Sequence, residues 1–432
     1  MKLLLTGARI IDPAQKIDSR MDIFMEDGKI ARTGTDLSKS LKSKSSEKIT
    51  KIIDLAGMIV VPGLIDMHTH LREPGFEYKE TISSGAAAAV AGGFTSIACM
   101  PNTNPVNDNR STTEFIRRKA SEAVLANIYP IGAISKNSAG VQLTEFWDLK
   151  EAGAVALSDD GKPVMDAALM RRAMEYACSL NLPIISHCED TNLSSGGLMN
   201  EGYYSTILGL NGIPGIAEEA MVSRDILIAE YTKTRVHIAH VSTSGSVHLI
   251  RNAKKRGVKV TAETAPHYFT LTDEALQSYD TNFKVNPPLR SRDDVDAVKE
   301  GLSDGTIDVI ACDHAPHGRT DKEVEFEYAA NGITGLETSL GLSLNLIMDK
   351  TLNWMELIAK MSTNPARILN LPKGTLETGA DADITVIDPL LKWNVDVQAF
   401  RSRGKNSPFN KRQMQGKAIL TIVGGEIKYD GR

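Results

Sequence analysis

The chain has 432 residues, 49 Lys and Arg against 54 Asp and Glu, and a formal net charge of −5. No long basic block suits nucleic acid and no apolar run reaches membrane-spanning length, while the opening MKLLLTGARIIDPAQ is too short and too early in its charges for a secretory signal. The length exceeds what one small core needs and predicts a large α/β barrel or two domains.

Residues 1–57 hold short strands, KLLLTGARIID, DIFMEDGKIARTG and KIIDLAG, broken by Asp-Gly and Ala-Gly turns. Between the second and third lies DLSKSLKSKSSEKITK (36–51), read as a solvated loop. From residue 58 the pattern changes to short apolar, β-branched runs separated by helical segments. The runs are GLIDMH (63–68), TSIACM (95–100), NIYPIGA (127–133), AVALSD (154–159), PIISHC (183–188), RVHIAHV (235–241), KVTAET (259–264) and DVIACD (308–313). Near-continuous apolarity suits strands covered on both faces, as in a parallel sheet. SSGAAAAVAGG (83–93), VMDAALMRRAMEYACSL (164–180) and VHLIRNAKKRG (247–257) read as helices. Eight strands alternating with helices is the count of a TIM-type (β/α)8 barrel over residues 58–370; a doubly wound sheet is the alternative. Residues 371–432, with ADITVIDP and AILTIVGGEIKYDG, return to the character of the N-terminus. The arrangement expected is a small β-sandwich domain made from 1–57 and 371–432 with the barrel inserted between them. Cys99, Cys178, Cys188 and Cys312 show no CxxC spacing and read as reduced, buried thiols of a cytoplasmic protein.

Barrel active sites lie at the C-terminal ends of the strands. The first run ends in His68 and His70, the fourth in Asp159 and Asp160, the fifth in His187 and the eighth in Asp313, and the sixth carries His240 near its end. Runs two, three and seven offer no comparable ligand. An HxH pair alone is weak, but so many imidazoles and carboxylates at one end are costly to bury unless metal ions satisfy them together. His237 and His240 differ by three positions and face opposite ways on a regular strand; Cys188 and Cys312 face the helices. Periodicity does not choose between Asp159 and Asp160. His237, His248 and His267 read as hydrogen-bonded or surface histidines, His267 least firmly. Imidazole and carboxylate without thiolate suit zinc or another borderline divalent ion, with ligands enough for two. Such a site, with Asp313 as proton carrier, points to hydrolysis of an amide-like bond.

DMHTHLREPG, MPNTNPV, LSDDGKPV, HCED, HVST, NPPLR and CDHAPH, in this order, resemble the amidohydrolase superfamily and specifically bacterial class I dihydroorotases. GTLETGADADITVID and TIVGG extend the resemblance over nearly the whole chain. It implies that His68 and His70 bind one metal ion, His187 and His240 a second, and that Asp160 lies between them where many relatives have a carboxylated lysine. Asp313 becomes the metal-bound general base and acid. Arg72, Asn102 and His317 are implied to hold a substrate carboxylate, Asn286 and the backbone around Asn331 and Gly332 to contact the ring, and His70 counts among the substrate contacts. The implied activity is reversible cyclisation of N-carbamoyl-L-aspartate to L-dihydroorotate in pyrimidine synthesis, with one or two Zn2+ per subunit, two favoured. A homodimer and an association with aspartate transcarbamoylase are implied partners. The competing readings are hydantoinase, dihydropyrimidinase or allantoinase, which usually lack the arginine and keep the lysine, and a non-catalytic scaffold relative, which generally loses metal ligands. Residues 318–334 admit two readings, a solvated loop and a mobile cover that closes on substrate.

Overall fold

The computed structural model describes residues 2–42 and 50–432. All eight expected runs are strands of one parallel sheet: Leu64–Thr69, Phe94–Cys99, Asn127–Gly132, Ala156–Leu157, Ile184–Ser186, Val236–Ile238, Val260–Thr264 and Val309–Ile310. Each pairs with its neighbour in chain order, which excludes the doubly wound alternative. The sheet nearly closes on itself. Thr69 bridges to His314, and the Cys312 amide donates to Asp66 Oδ2 at 3.0 Å.

Two apolar layers hold the barrel. Inside, Ala98, Ile131, Ala156, Ile185, Ala239, Val309 and Ala311 pack together, with Ile368 and Leu369 in the same cluster. Outside, alternate residues of the same strands, such as Ile97, Ile184, Ile238 and Ile310, join the helices. Cys188 and Cys312 belong to this outer layer, as their parity against His187 and Asp313 requires. Cys178 departs from expectation. The helix Ala167–Ser179 buries Leu169, Met170, Ala173, Met174 and Ala177, which leaves the next position on its solvent face.

The helix Ile82–Ala91 begins at a Thr81 capping box and stops at two glycines. At Gly93, φ is 92° and a side chain would meet Ala418 and Thr385 at 2.8 and 2.9 Å. Barrel and terminal strands therefore touch where only glycine fits. Those terminal strands form one eight-stranded sheet from both chain ends. Its joint is Ile59–Pro62, parallel to Lys2–Asp12 on one side and antiparallel to Ile384–Asn394 on the other. Leu5, Ile23, Val60, Val386 and Leu420 share its core. Within the stretch read as a loop, Leu37–Lys42 is a short helix, and residues 43–49 lie outside the described residues. Among the described residues no helix is long and apolar enough to cross a membrane.

Candidate active site

The barrel places its polar strand ends on one rim. His68, His70, Asp160, His187, His240 and Asp313 are all buried, none more than 8 % exposed. Asp159 and Asp160 part company just past the short fourth strand. Asp159 accepts hydrogen bonds from the Ser135 amide, at 3.0 Å, and from the Ser135 hydroxyl, which ties down a neighbouring loop. Asp160 turns to the centre.

The opposed facing expected of His237 and His240 does not hold. His240 takes φ of 34°, which breaks the strand's alternation, and both rings lie inside the barrel. Asp313 and Arg72 also have positive φ, 48° and 63°. Non-glycine residues enter that region at a cost of order 1 kcal/mol or more, and at these three positions the turn aims a polar side chain at the cavity.

Six side chains converge. His68 Nε2 lies 3.3 Å from Asp160 Oδ1 and 3.5 Å from Asp313 Oδ1, while His70 Nε2 lies 3.5 Å from Asp160 Oδ2 and 3.1 Å from Asp313 Oδ1. On the other side, His187 Nδ1 and His240 Nε2 are 3.6 and 3.5 Å from Asp160 Oδ1 and 2.8 Å from each other. His68, His70 and Asp160 form one group with metal-ligand spacing, and Asp160, His187 and His240 form another. Burial opposes charge on Asp160 and Asp313, yet the adjoining histidines, His68 foremost, hold both carboxyls below the usual range. His68 Nε2 and Asp160 Oδ1 are buried with no hydrogen-bond partner. Buried polar atoms are rarely left so. Two orphaned atoms facing each other within a set of imidazole nitrogens and carboxylate oxygens fit a divalent cation.

A second layer orients these groups, and the sequence reading missed its main member. The seventh strand, expected to add nothing, carries Glu263, which accepts from His68 Nδ1 at 2.5 Å and lies 3.2 Å from His237 Nε2. That bond leaves His68 Nε2 free to face the centre. Glu263 was visible as an inward acidic residue near a strand end; its partner, 195 positions away, was not. Glu189 accepts from His187 Nε2 at 3.0 Å and from the Asn286 amide at 2.9 Å. His237 is thus a bonded core histidine and His248 is exposed, whereas His267 is buried with Nε2 unpartnered. Burial pushes His267 down to about 4, so it is neutral.

Above the cluster opens a cavity of about 180 Å3. Its lining includes every expected substrate contact: His70, Arg72, Asn102, Asn286, His317, Asn331 and Gly332. Asn102 Oδ1 lies 2.9 Å from His70 Nδ1. His317 Nε2 donates to the Asn331 carbonyl at 2.8 Å. Burial, with Arg72 and Lys79 nearby, pushes His317 down to about 2 and keeps it neutral. Arg72 donates to the Pro316 carbonyl at 3.3 Å. Among the described residues its guanidinium has no carboxylate within ion-pairing distance, and burial lowers it only to about 10, so it remains charged. A larger open groove, about 670 Å3, is lined by Arg117, Glu426 and Lys428 among others and holds no histidine.

A barrel rim that gathers imidazoles and carboxylates in this way is that of the amidohydrolase class, and a model described as Amidohydrolase family matches residues 218–429. Among solved structures, L-hydantoinase (dihydropyrimidinase) from Arthrobacter aurescens superposes with a TM-score of 0.87 at 26% identity, covering 99% of this chain and 96% of that one. Dihydropyrimidinase from Brevibacillus agri shares the fold with a TM-score of 0.85 at 21% identity, over 100% and 95% of the two chains. A second model, described as Dihydro-orotase-like, matches residues 57–246. Proteins named dihydroorotase are similar over almost their whole length: 62% identical in Syntrophus aciditrophicus, across 99% of both chains, and 57% in Pelotomaculum thermopropionicum, across 100% and 99%. The chain belongs to the dihydroorotase family.

Proposed function

We propose that the chain interconverts N-carbamoyl-L-aspartate and L-dihydroorotate, closing the ring with loss of water. The observation that carries this reading is Arg72, a charged guanidinium without a carboxylate partner, in the cavity that opens onto the His/Asp cluster. A guanidinium so placed suits a substrate carboxylate, held by bidentate, charge-assisted hydrogen bonds. Hydantoins and allantoin carry no such group.

His68, His70 and Asp160, with Asp313 beside them, would hold one divalent ion, and His187 and His240 with Asp160 a second; zinc suits this donor set. When bound, such an ion supplies Lewis acidity and brings the pKa of water towards neutrality. The chain's own groups do the rest. Arg72, Asn102 and His317 bind the ring carboxylate, while Asn286 and the Asn331–Gly332 backbone orient the ring amide over Asp160 and Asp313. In the hydrolytic direction Asp313, ionised by its histidine neighbours, takes the proton of the attacking water and delivers it to the departing ring nitrogen. Cyclisation runs the same transfers backwards.

Ring closure converts a carboxylate into an amide carbonyl and takes up one proton, so the equilibrium shifts about tenfold towards the ring for each pH unit of acidification. Purified protein should therefore carry carbamoyl aspartate further towards the ring at mildly acidic pH, lose activity to a chelator, regain it with Zn2+, and leave hydantoin and allantoin untouched. Turnover confined to a neutral ring would reassign the chain to those other cyclic amidases. The Glu263 contact makes a separate prediction. Glu263→Gln keeps the fold, by far-UV circular dichroism, but binds Zn2+ about ten- to a hundredfold more weakly in competition with a chromophoric chelator. Unaltered affinity would remove Glu263 from any role in orienting His68.

A further inference from the structure

Residues 318–334 contribute Asn331 and Gly332 to the cavity, yet their own regular structure is a single turn, Arg319–Lys322. One face of the segment is exposed, but Lys322, Phe326, Ala329 and Ile333 are buried and anchor it. What ties the segment down is two lysines. Lys322 Nζ donates to the carbonyls of Ala330 at 2.7 Å, Gly332 at 3.2 Å and Lys284 at 3.4 Å. Lys284 Nζ donates to the carbonyls of Phe326 at 2.7 Å and Glu327 at 2.8 Å. The Gly332 amide returns a bond to the Lys284 carbonyl at 2.9 Å.

Both lysines are only 4 % exposed, and among the described residues neither ammonium has a carboxylate within 4 Å. Lysine is seldom buried without an ion pair. Here the ammonium's three N–H donors meet backbone carbonyls instead, three from Lys322 and two from Lys284. Burial and the neighbouring Lys284 push Lys322 down to about 7, as expected of two cations placed together without a counter-ion. Asp280 and Asp321, the acidic groups that act on it, only partly oppose this. An apolar side chain at either position would take these donors from the buried carbonyls.

Lys284 lies two residues before Asn286, which lines the same cavity as Asn331 and Gly332. The lysine pair thus joins two neighbouring segments that line the cavity. We propose that Lys284 and Lys322 are positioning residues: they clamp the Asn331–Gly332 segment to the Asn286 loop and so set the width of the cavity. The clamp replaces the mobile cover with a wall fixed before substrate arrives. Its catalytic consequence rests on the proposed cyclisation; its mechanical consequence does not.

Lys322→Met tests both. Amide hydrogen exchange over residues 323–334 of the substrate-free protein should quicken about tenfold or more. KM for carbamoyl aspartate should rise about tenfold and kcat should fall with it, because the segment both binds the ring and orients its amide. Zn2+ content should match the parent. Unchanged exchange in a folded variant overturns the clamp, and faster exchange with an unchanged KM overturns its role in positioning. If the parent protein fails to cyclise carbamoyl aspartate, the proposed function falls and the exchange measurement still decides the clamp. Should Lys322→Met not fold, Lys284→Met carries the same readouts.

Discussion

Asp313→Asn protein is expected to keep its metal and lose turnover by about two to four orders of magnitude. The substitution preserves shape and one oxygen but removes the ability to accept a proton. Asp313 stands 3.1 Å from His70 and 3.5 Å from His68, and among the described residues Asp160 is the one other carboxylate this close to both. Asp160, the nearest candidate, is engaged with all four histidines. Metal retention follows because five of the six converging groups remain. The measurement is kcat in both directions alongside zinc content by mass spectrometry. A rate within a few-fold of the parent would exclude Asp313 as the proton carrier, and a metal-free variant would make it a ligand first.

The second large effect is expected at Arg72. Arg72→Met should raise KM for carbamoyl aspartate by roughly 30- to 150-fold, the equivalent of about 2–3 kcal/mol for a lost charge-assisted pair. Arg72→Lys should fall between, since an ammonium keeps the charge but not the planar fork. Selectivity is the sharper readout. Activity on a neutral cyclic amide, if any can be measured, should not fall in Arg72→Met, because that ring has no carboxylate to lose. The pH dependence has a definite sign. A guanidinium lowered to about 10 is charged throughout the neutral range, so carboxylate affinity holds there and weakens only as the pH nears 10. Equal losses on charged and neutral rings would make Arg72 a structural residue, held to the Pro316 carbonyl, and not a substrate anchor.

Much of the architecture was legible because local rules generate it. Eight apolar β-branched runs separated by helical ones produce the barrel, and strand alternation sends Cys188 and Cys312 outward while His187 and Asp313 face in. Most terminal strands were equally clear, since Asp-Gly and Gly-Gly turns punctuate them, but the joining strand Ile59–Pro62 lies within the stretch read as barrel. Legibility ended where backbone geometry departs from the regular strand. His240 at φ 34° undoes the parity argument that set it against His237. Cys178 falls one position off its helix's buried face.

By itself, then, the amino-acid order determined which chemistry could be assembled: histidines and aspartates at one end of successive strands, an arginine two residues past the first pair, and the turns that close the terminal sheet. These follow from periodicities of two and 3.6, which act over a few residues. Only the tertiary structure decided which polar groups meet. It tied Asp159 to Ser135, set Glu263 behind His68, and laid Lys284 and Lys322 across the carbonyls of the 318–334 segment. Those choices depend on groups far apart in the chain finding complementary partners in a dry interior, where an unmatched donor or acceptor costs more than any local preference can repay.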